Sequence, residues 1–182
     1  MRNLYISDTH FFDQRIFDLC HRPFKNMADY LNEAKKRWNE KVGKEDTMFL
    51  IGDIACVWSD DEIGYLKSLN GTKILVTGNH DLPFLEKIDS SKVFQYRKDI
   101  IYLKDDGRDV VLCHYPLFQW VDDFKGSCLV YGHIHNKILP EIKEYMRDRR
   151  AYNAGADVIG FVPRTLDELI KLKEESHEAY IN

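Results

Sequence analysis

Seven side chains that can bind a metal ion follow five short apolar runs of the sequence. They are Asp8, His10, Asp53, Asn79, His114, His133 and His135. The set comprises two carboxylates, four imidazoles and one amide, without a thiolate, and such donors suit divalent ions such as Mn²⁺, Fe²⁺ or Zn²⁺. Seven ligands are too many for one catalytic ion. They indicate two ions that share a bridging carboxylate, attract a phosphate anion and generate hydroxide near neutral pH.

The individual motifs differ in how specific they are. An Asp-x-His after a strand is more often an ordinary loop, and a Gly-Asn-His-Asp segment can form a turn, because Gly-Asn readily adopts left-handed backbone conformations. The segment that contains His133 and His135 is more specific, since imidazoles at i and i+2 share one side of an extended chain. Five such elements, each placed after an apolar run, favour one common site.

The five apolar runs predict buried strands that position these residues. The runs cover residues 4–6, 48–51, 74–76, 110–113 and 128–131. They alternate with segments of helical period, which is typical of an α/β or layered β/α domain. Ligands gather at the carboxyl ends of strands in such a sheet, so distant residues can converge. Gly52, Gly78 and Gly132 precede three of the groups and permit a close backbone approach.

The sequence also predicts where several helices begin. Apolar residues recur at three- and four-residue steps over residues 27–38, which indicates a helix with one apolar face. Ser59 with Glu62, and Thr165 with Glu168, have the spacing of a capping box. Leu82-Pro83 is expected to open a short helix, because proline is tolerated in a first turn.

Length and composition predict one domain over residues 1–182. The net charge of −4 does not favour a nucleic-acid-binding surface. Residues 137–150 are interpreted as a solvated helix face, with a phosphate-backbone contact as the alternative. No segment resembles a signal peptide or a membrane span, and Cys20, Cys56, Cys113 and Cys128 form no CxxC pair. We therefore expect a cytoplasmic protein with buried free thiols.

The motifs resemble the five ordered blocks of the calcineurin-like metallophosphoesterases. The blocks are Asp8-Thr9-His10, Gly52-Asp53, Gly78-Asn79-His80-Asp81, His114 and Gly132-His133-Ile134-His135. The match runs to about residue 157, where Tyr152 to Asp157 is similar to the strand that closes the second sheet in small bacterial and phage members. The resemblance implies a four-layer α/β/β/α sandwich.

The resemblance also implies a role for each residue. Asp8, His10 and His135 would bind one ion, Asn79, His114 and His133 the other, and Asp53 would bridge them. His80 would act as general acid or stabilise the leaving oxygen, with Asp81 holding its tautomer and orientation. The implied reaction is in-line attack on phosphorus by a hydroxide that bridges the ions, which are expected to be manganese, with iron, nickel or zinc as alternatives.

Other residues are candidates for substrate contacts. Arg15, Arg22 and Lys25 follow the first strand and could bind phosphate, although an ordinary basic loop is the favoured interpretation. Residues 54–58, Ile-Ala-Cys-Val-Trp, lack the polar residue that many family members carry after Gly-Asp, which predicts an apolar pocket wall. The aromatic stretch 115–120 is expected to be mostly core. His21 and His177 fall outside the blocks and are assigned to surface or packing.

Four functions fit these motifs, and the first is a phosphodiesterase acting on a diester or small nucleotide-type substrate. The absence of an inserted cap domain, which leaves an open site, favours this first choice, and a phosphomonoesterase is the second. A metal-binding interaction scaffold without catalysis is a third. Such a protein would not need His80, and this sequence retains it. A nuclease would require a basic stripe, for which only residues 137–150 are available. The oligomeric state is not predicted.

Overall fold

The computed structural model describes residues 1–55, 59–85, 89–137 and 140–178, apart from the side chains of Phe84, His177 and Glu178. The strands are β1 (Asn3–Ile6), β2 (Thr47–Ile51), β3 (Thr72–Val76), β4 (Tyr96–Lys98), β5 (Ile100–Asp105), β6 (Arg108–Cys113), β7 (Cys128–Tyr131) and β8 (Ala151–Asn153). The α-helices are α1 (Gln14–Leu19), α2 (Met27–Lys41), α3 (Asp60–Lys67), α4 (Leu82–Leu85), α5 (Pro140–Arg147), α6 (Ala156–Ile159) and α7 (Leu166–Glu178).

Within these ranges the strands form two four-stranded sheets. The first has the order β1-β2-β3-β4 and is parallel throughout, with Leu4 opposite Met48 in the register of its first pair. The second has the order β5-β6-β7-β8, and only β5 runs antiparallel to its neighbour. All five predicted strands are present, together with the β8 implied by the family resemblance.

Side chains of the second sheet alternate between two cores. Val110, Leu112 and Val130 belong to the larger core, which also holds the first sheet and the buried face of α2. The alternate residues of β6 and β7 belong to a second core that includes Met146 of α5. Because successive side chains of a strand point to opposite faces, each sheet lies between the other sheet and helices. The four-layer α/β/β/α sandwich is confirmed.

The predicted helix starts are confirmed by their caps. The Ser59 hydroxyl accepts from the Glu62 N–H at 3.4 Å while the Ser59 N–H donates to the Glu62 carboxylate at 2.7 Å, which completes a capping box. Thr165 and Glu168 make the same reciprocal pair before α7. In α4, Pro83 occupies the first turn. These caps satisfy N–H groups that a helix start leaves unpaired.

The predictions for the solvated helix face, the cysteines and the two unassigned histidines can be compared with the structure only where it describes those residues. In α5 only Met146 is buried, so the predicted solvated face is present over residues 140–147, while residues 138 and 139 of the predicted segment lie outside the described part. Cys20, Cys113 and Cys128 are buried free thiols, whereas Cys56 lies outside the described residues. His21 is exposed, and the His177 side chain is outside the described part. In the ranges that the structure covers, every helix is too short or too polar to cross a membrane.

Candidate metal centre

The predicted ligands lie on the turns that follow the strands. Asp8 and His10 follow β1, Asp53 follows β2, and His133 with His135 follows β7. All five have positive φ angles, between 44° and 71°. This left-handed conformation is uncommon for residues other than glycine, and its concentration at one place is typical of a functional site, where the surrounding fold holds the backbone in a strained form.

One group of ligands consists of Asp8, His10 and His135. Their donor atoms all lie within 4.8 Å of one another, and His135 Nε2 is 3.8 Å from Asp8 Oδ1. Both ring nitrogens of His10 are buried without a hydrogen-bond partner. Burial lowers the pKa of His10 to about 3, although Asp53 opposes the shift. A neutral imidazole with an unused lone pair is the form that binds a metal ion, so the group fits an ion.

A second group consists of Asp53, His114 and His133, whose donor atoms also lie within 4.8 Å of one another. His114 Nε2 is 3.2 Å from Asn79 Oδ1 and 3.3 Å from Asp53 Oδ2. The His114 Nδ1 atom is 2.8 Å from the Ile51 carbonyl, which can only accept a hydrogen bond, so Nδ1 carries the proton and Nε2 faces the group.

Electrostatics of the second group also favour a cation. Burial lowers the pKa of His114, but its hydrogen bond to Asp53 and the charges of Asp8 and Asp53 outweigh burial and raise the value to about 9. The imidazole is therefore positively charged at neutral pH when no ion is bound. A positive charge at this point partly balances two buried carboxylates, which is the task a metal ion would take over.

Asp53 lies between the two groups. Its Oδ2 atom is 3.7 Å from His10 Nε2 and 3.3 Å from His114 Nε2, and its Oδ1 accepts the His80 N–H at 2.8 Å. A Cβ atom on Gly78 would stand only 2.3 Å from Asp53 Oδ1. The glycine is therefore required for the close approach of the two turns, as its place in the sequence predicts.

Asp81 has a different role from the predicted one. Its buried carboxylate accepts the backbone N–H groups of Asp53 at 2.9 Å, Ile54 at 3.1 Å and Gly78 at 2.9 Å. Burial raises the pKa of Asp81 to about 7 against the effect of these hydrogen bonds. The expectation that Asp81 orients the His80 imidazole is wrong, since its oxygens tie the turns after β2 and β3 together. The half-buried His80 ring lies edge-on to His10, with 5.1 Å between centroids.

Arg22 and Asp157 form a buried network beside the first group. The Arg22 guanidinium donates to the carbonyls of Asp8 and Thr9 and pairs with Asp157 at 3.0 Å. Asp157 Oδ2 is 2.8 Å from His135 Nδ1. A carboxylate only accepts, so His135 Nδ1 carries a proton and its Nε2 faces Asp8. The Arg22 side chain is 0% exposed and occupied by these partners, so both the candidate phosphate contact and the favoured interpretation as an ordinary basic loop are wrong for Arg22.

The remaining candidates lie at the surface. The Arg15 side chain is 76% exposed and pairs with Asp13 at 3.2 Å, while Lys25 is exposed. Of the aromatic side chains in residues 115–120, Trp120 belongs to the second core, but Tyr115 and Phe118 are exposed, so the expectation that the stretch is mostly core is wrong. Tyr115 is 41% exposed and lies 4.8 Å from His133 between ring centroids. Ile54 and Ala55 are fully buried, and residues 56–58 of the predicted pocket wall lie outside the described residues.

The sequence is similar to those of known proteins. The sequence model of the calcineurin-like phosphoesterases matches residues 1–137. The uncharacterized protein MJ1445 of Methanocaldococcus jannaschii is 32% identical over 96% of this chain and 93% of its own length. The gene 66 protein of Mycobacterium phage L5 is 29% identical, with 96% and 95% covered.

Two solved structures share the fold. The protein of unknown function AQ665 from Aquifex aeolicus superposes with a TM-score of 0.74 at 25% identity, covering 93% of this chain and 98% of that one. A novel archaeal phosphodiesterase superposes with a TM-score of 0.52 at 20% identity, covering 85% and 84%.

Proposed function

The chain belongs to the calcineurin-like phosphoesterase family, and we propose that it uses two divalent ions to hydrolyse a phosphodiester or a small nucleotide-type phosphate ester. The observation that carries the proposal is that Asp53, a member of the second ligand group, also lies 3.7 Å from His10 of the first group. One shared carboxylate between two groups is the arrangement that a two-ion hydrolase needs. Manganese is the proposed ion, since the donors are oxygen and imidazole nitrogen only.

The residues divide between the two ions as their contacts suggest. Asp8, His10 and His135 would hold the first ion, Asn79, His114 and His133 the second, and Asp53 both. When bound, the ions supply Lewis acidity toward phosphate oxygens and a nucleophile at neutral pH. The hydrogen bonds at Nδ1 of His114 and His135 point Nε2 of each ring into its ligand group before any ion arrives, and an ion in the second group would displace the Nε2 proton of His114.

His80 would assist the leaving group. Its backbone N–H binds Asp53, which fixes the residue beside the shared carboxylate, and its ring is half-buried next to His10. From there the imidazole would donate a proton to the leaving oxygen as the ester bond breaks. Asp81 supports this step indirectly, because its carboxylate holds the backbone of Asp53 and Gly78.

A screen of metals against substrates tests the proposal. The protein is stripped with a chelator and reloaded with Mn²⁺, Ni²⁺ or Zn²⁺, and then offered bis-p-nitrophenyl phosphate, p-nitrophenyl phosphate and cyclic nucleotides. We expect diester hydrolysis that the chelator abolishes. Hydrolysis of the monoester alone would favour the phosphomonoesterase, and two bound ions without turnover on any ester would favour the scaffold.

The bridging role of Asp53 needs its own variant. Asp53→Ala should remove both ions and abolish turnover, because each group loses the carboxylate they share. Asp109→Asn is the matched control, since that carboxylate is 61% exposed and pairs with Lys104 on the second sheet. A metal analysis in which Asp53→Ala retains one ion fully would contradict the bridging role.

A further inference from the structure

A cavity of about 320 Å³ opens directly beside the candidate metal centre. One of its walls is formed by His133 and His135, which belong to different ligand groups. Leu19, at the end of α1, and Ile142, on α5, also line it. The cavity therefore borders both ligand groups.

The other walls are mainly apolar. Leu19, Ile134 and Ile142 supply aliphatic surface, and the Cys20 thiol, whose Sγ lies 3.7 Å from His135 Nδ1, adds a weakly polar patch. Such a wall favours an apolar or aromatic group over a sugar or a second phosphate, because uncompensated burial of polar groups is costly.

Lys137 adds one positive charge at the cavity. Its Nζ donates to the Leu19 carbonyl at 3.2 Å, which leaves further ammonium protons. Its aliphatic stem can cover apolar surface while the charge stays in water. Among the described residues, the cavity thus combines mainly apolar walls with the Lys137 ammonium, a combination typical of sites that hold a ring with a polar edge.

We infer that this cavity binds the organic group of the phosphate ester and that this group carries an aromatic or similarly flat apolar ring. The inference rests on the proposed function. A phosphate held by the two proposed ions would lie beside His133 and His135, which also line the cavity, so its ester substituent is the part of the substrate that would reach the cavity. A volume of about 320 Å³ is at the lower end for ligand pockets, which fits one ring system better than a long chain.

Binding of two phosphonates tests this inference without relying on turnover. Methylphosphonate and phenylphosphonate carry the same anionic head and differ only in the group that would enter the cavity. Isothermal titration calorimetry on the Mn²⁺-loaded protein gives the two dissociation constants. We expect phenylphosphonate to bind at least about tenfold more tightly, since even small apolar groups discriminate to that extent in a fitted pocket.

Leu19→Ala tests whether the gain comes from this cavity. Leu19 is 57% exposed, so its truncation should leave the thermal midpoint of unfolding nearly unchanged. We expect it to reduce the phenyl-to-methyl affinity ratio about threefold, mainly through weaker phenylphosphonate binding. Val121→Ala, at a residue that is 54% exposed and does not line the cavity, should keep the wild-type ratio.

The outcomes separate the two proposals. Equal affinity for both phosphonates, or a ratio that Leu19→Ala leaves unchanged or that Val121→Ala lowers as much, would overturn the cavity inference while the metal-dependent anion site stands. If neither phosphonate binds to the Mn²⁺-loaded protein, the proposed function itself fails, and the inference fails with it.

Discussion

Individual side chains in this site are oriented by hydrogen bonds that point one ring atom at the ligand group. His114 and His135 each commit Nδ1 to an acceptor and direct Nε2 at a carboxylate. Such outer partners raise the basicity of an imidazole ligand and fix its ring. The two acceptors differ, because Ile51 provides a backbone carbonyl and Asp157 a carboxylate. Only the second can be changed by substitution.

Asp157→Asn should weaken the first ion selectively. The amide is neutral and binds the His135 Nδ1 proton less strongly, so we expect the affinity of the Asp8-His10-His135 group for Mn²⁺ to fall about tenfold to hundredfold. The affinity of the other group should change little. Calorimetric titration of the metal-free protein resolves the two sites. An equal loss at both would show a general disturbance of the fold.

Asp157→Asn also removes the ion pair with Arg22, so a control variant that loses a different arginine–aspartate pair is needed. Asp167→Asn removes a carboxylate that is 70% exposed and binds Arg108 at 2.6 Å. An exposed ion pair contributes little stability, so this variant should bind both ions as the wild type does. Comparing the thermal midpoints of the metal-free variants shows how much of the Asp157 effect is structural.

His80→Asn should separate chemistry from metal binding. The backbone N–H that binds Asp53 remains in the variant, so both ions should stay bound. We expect turnover to fall about 10²- to 10⁴-fold on alkyl esters, which need a proton at the leaving oxygen, and much less on aryl esters. Metal content and rates on a matched alkyl and aryl pair provide the measurement. Equal losses on both esters would contradict the general-acid role.

At the scale of elements, turns after parallel strands bring the ligands together, and their glycines allow the approach. Gly78→Ala would place a methyl group 2.3 Å from Asp53 Oδ1 and 2.5 Å from the Asp53 N atom. Neither backbone turn can move freely, because Asp81 holds both. We expect this variant to lose metal affinity at both groups and to be destabilised by a few kcal/mol, on the order of an overpacked core.

Gly64→Ala is a matched control for that substitution. Gly64 lies inside α3, where an added Cβ meets nothing within 4 Å. Alanine is favoured over glycine in a helix interior by roughly 0.5–1 kcal/mol, so the control should bind metal normally and be slightly more stable. Urea unfolding and metal titration of both variants test the pair. Normal metal binding by Gly78→Ala would show that the turns can separate.

The elements were predictable where a pattern is local. Apolar runs and capping spacings identified five strands and the starts of α3, α4 and α7. The edge strand β4 was missed because Tyr96, Arg97 and Lys98 are all exposed and form no apolar run. β5 was missed although it begins with four apolar residues, Ile100 to Leu103, a run as long as those of the predicted strands. Its side chains alternate between exposed and buried positions at the edge of the second sheet. An exposed edge strand such as β4 has no such run, so hydrophobicity does not identify it.

The sequence predicted which side chains converge at the site but not the hydrogen bonds that hold them in place. Arg22 and Asp157 are 135 positions apart and meet only through the fold. Asp81 receives three backbone N–H groups whose convergence depends on two strand ends. Backbone partners have no residue-type signal, so the sequence favoured a side-chain partner for Asp81 that the structure does not provide.

In the whole molecule, the site joins the two sheets. Asp8, Asp53 and Asn79 follow strands of the first sheet, whereas His114, His133 and His135 follow strands of the second. Each proposed ion therefore takes ligands from both sheets. The Arg22–Asp157 ion pair is a similar long-range connection, because Arg22 lies in the loop after α1 and Asp157 at the start of α6. Ion binding should therefore stabilise the packing of one sheet on the other as well as the local turns.

Adding Mn²⁺ should raise the thermal midpoint of the whole protein. An ion that binds only the folded state stabilises it by about 2.7 kcal/mol at a hundred times its dissociation constant, which corresponds to a rise of roughly 5–11 °C for a domain of this size. Differential scanning calorimetry across a Mn²⁺ series provides the test. Asp53→Ala should abolish the shift, while Asp109→Asn should retain it. A shift of equal size in Asp53→Ala would show that the ions bind elsewhere and do not join the sheets at this site.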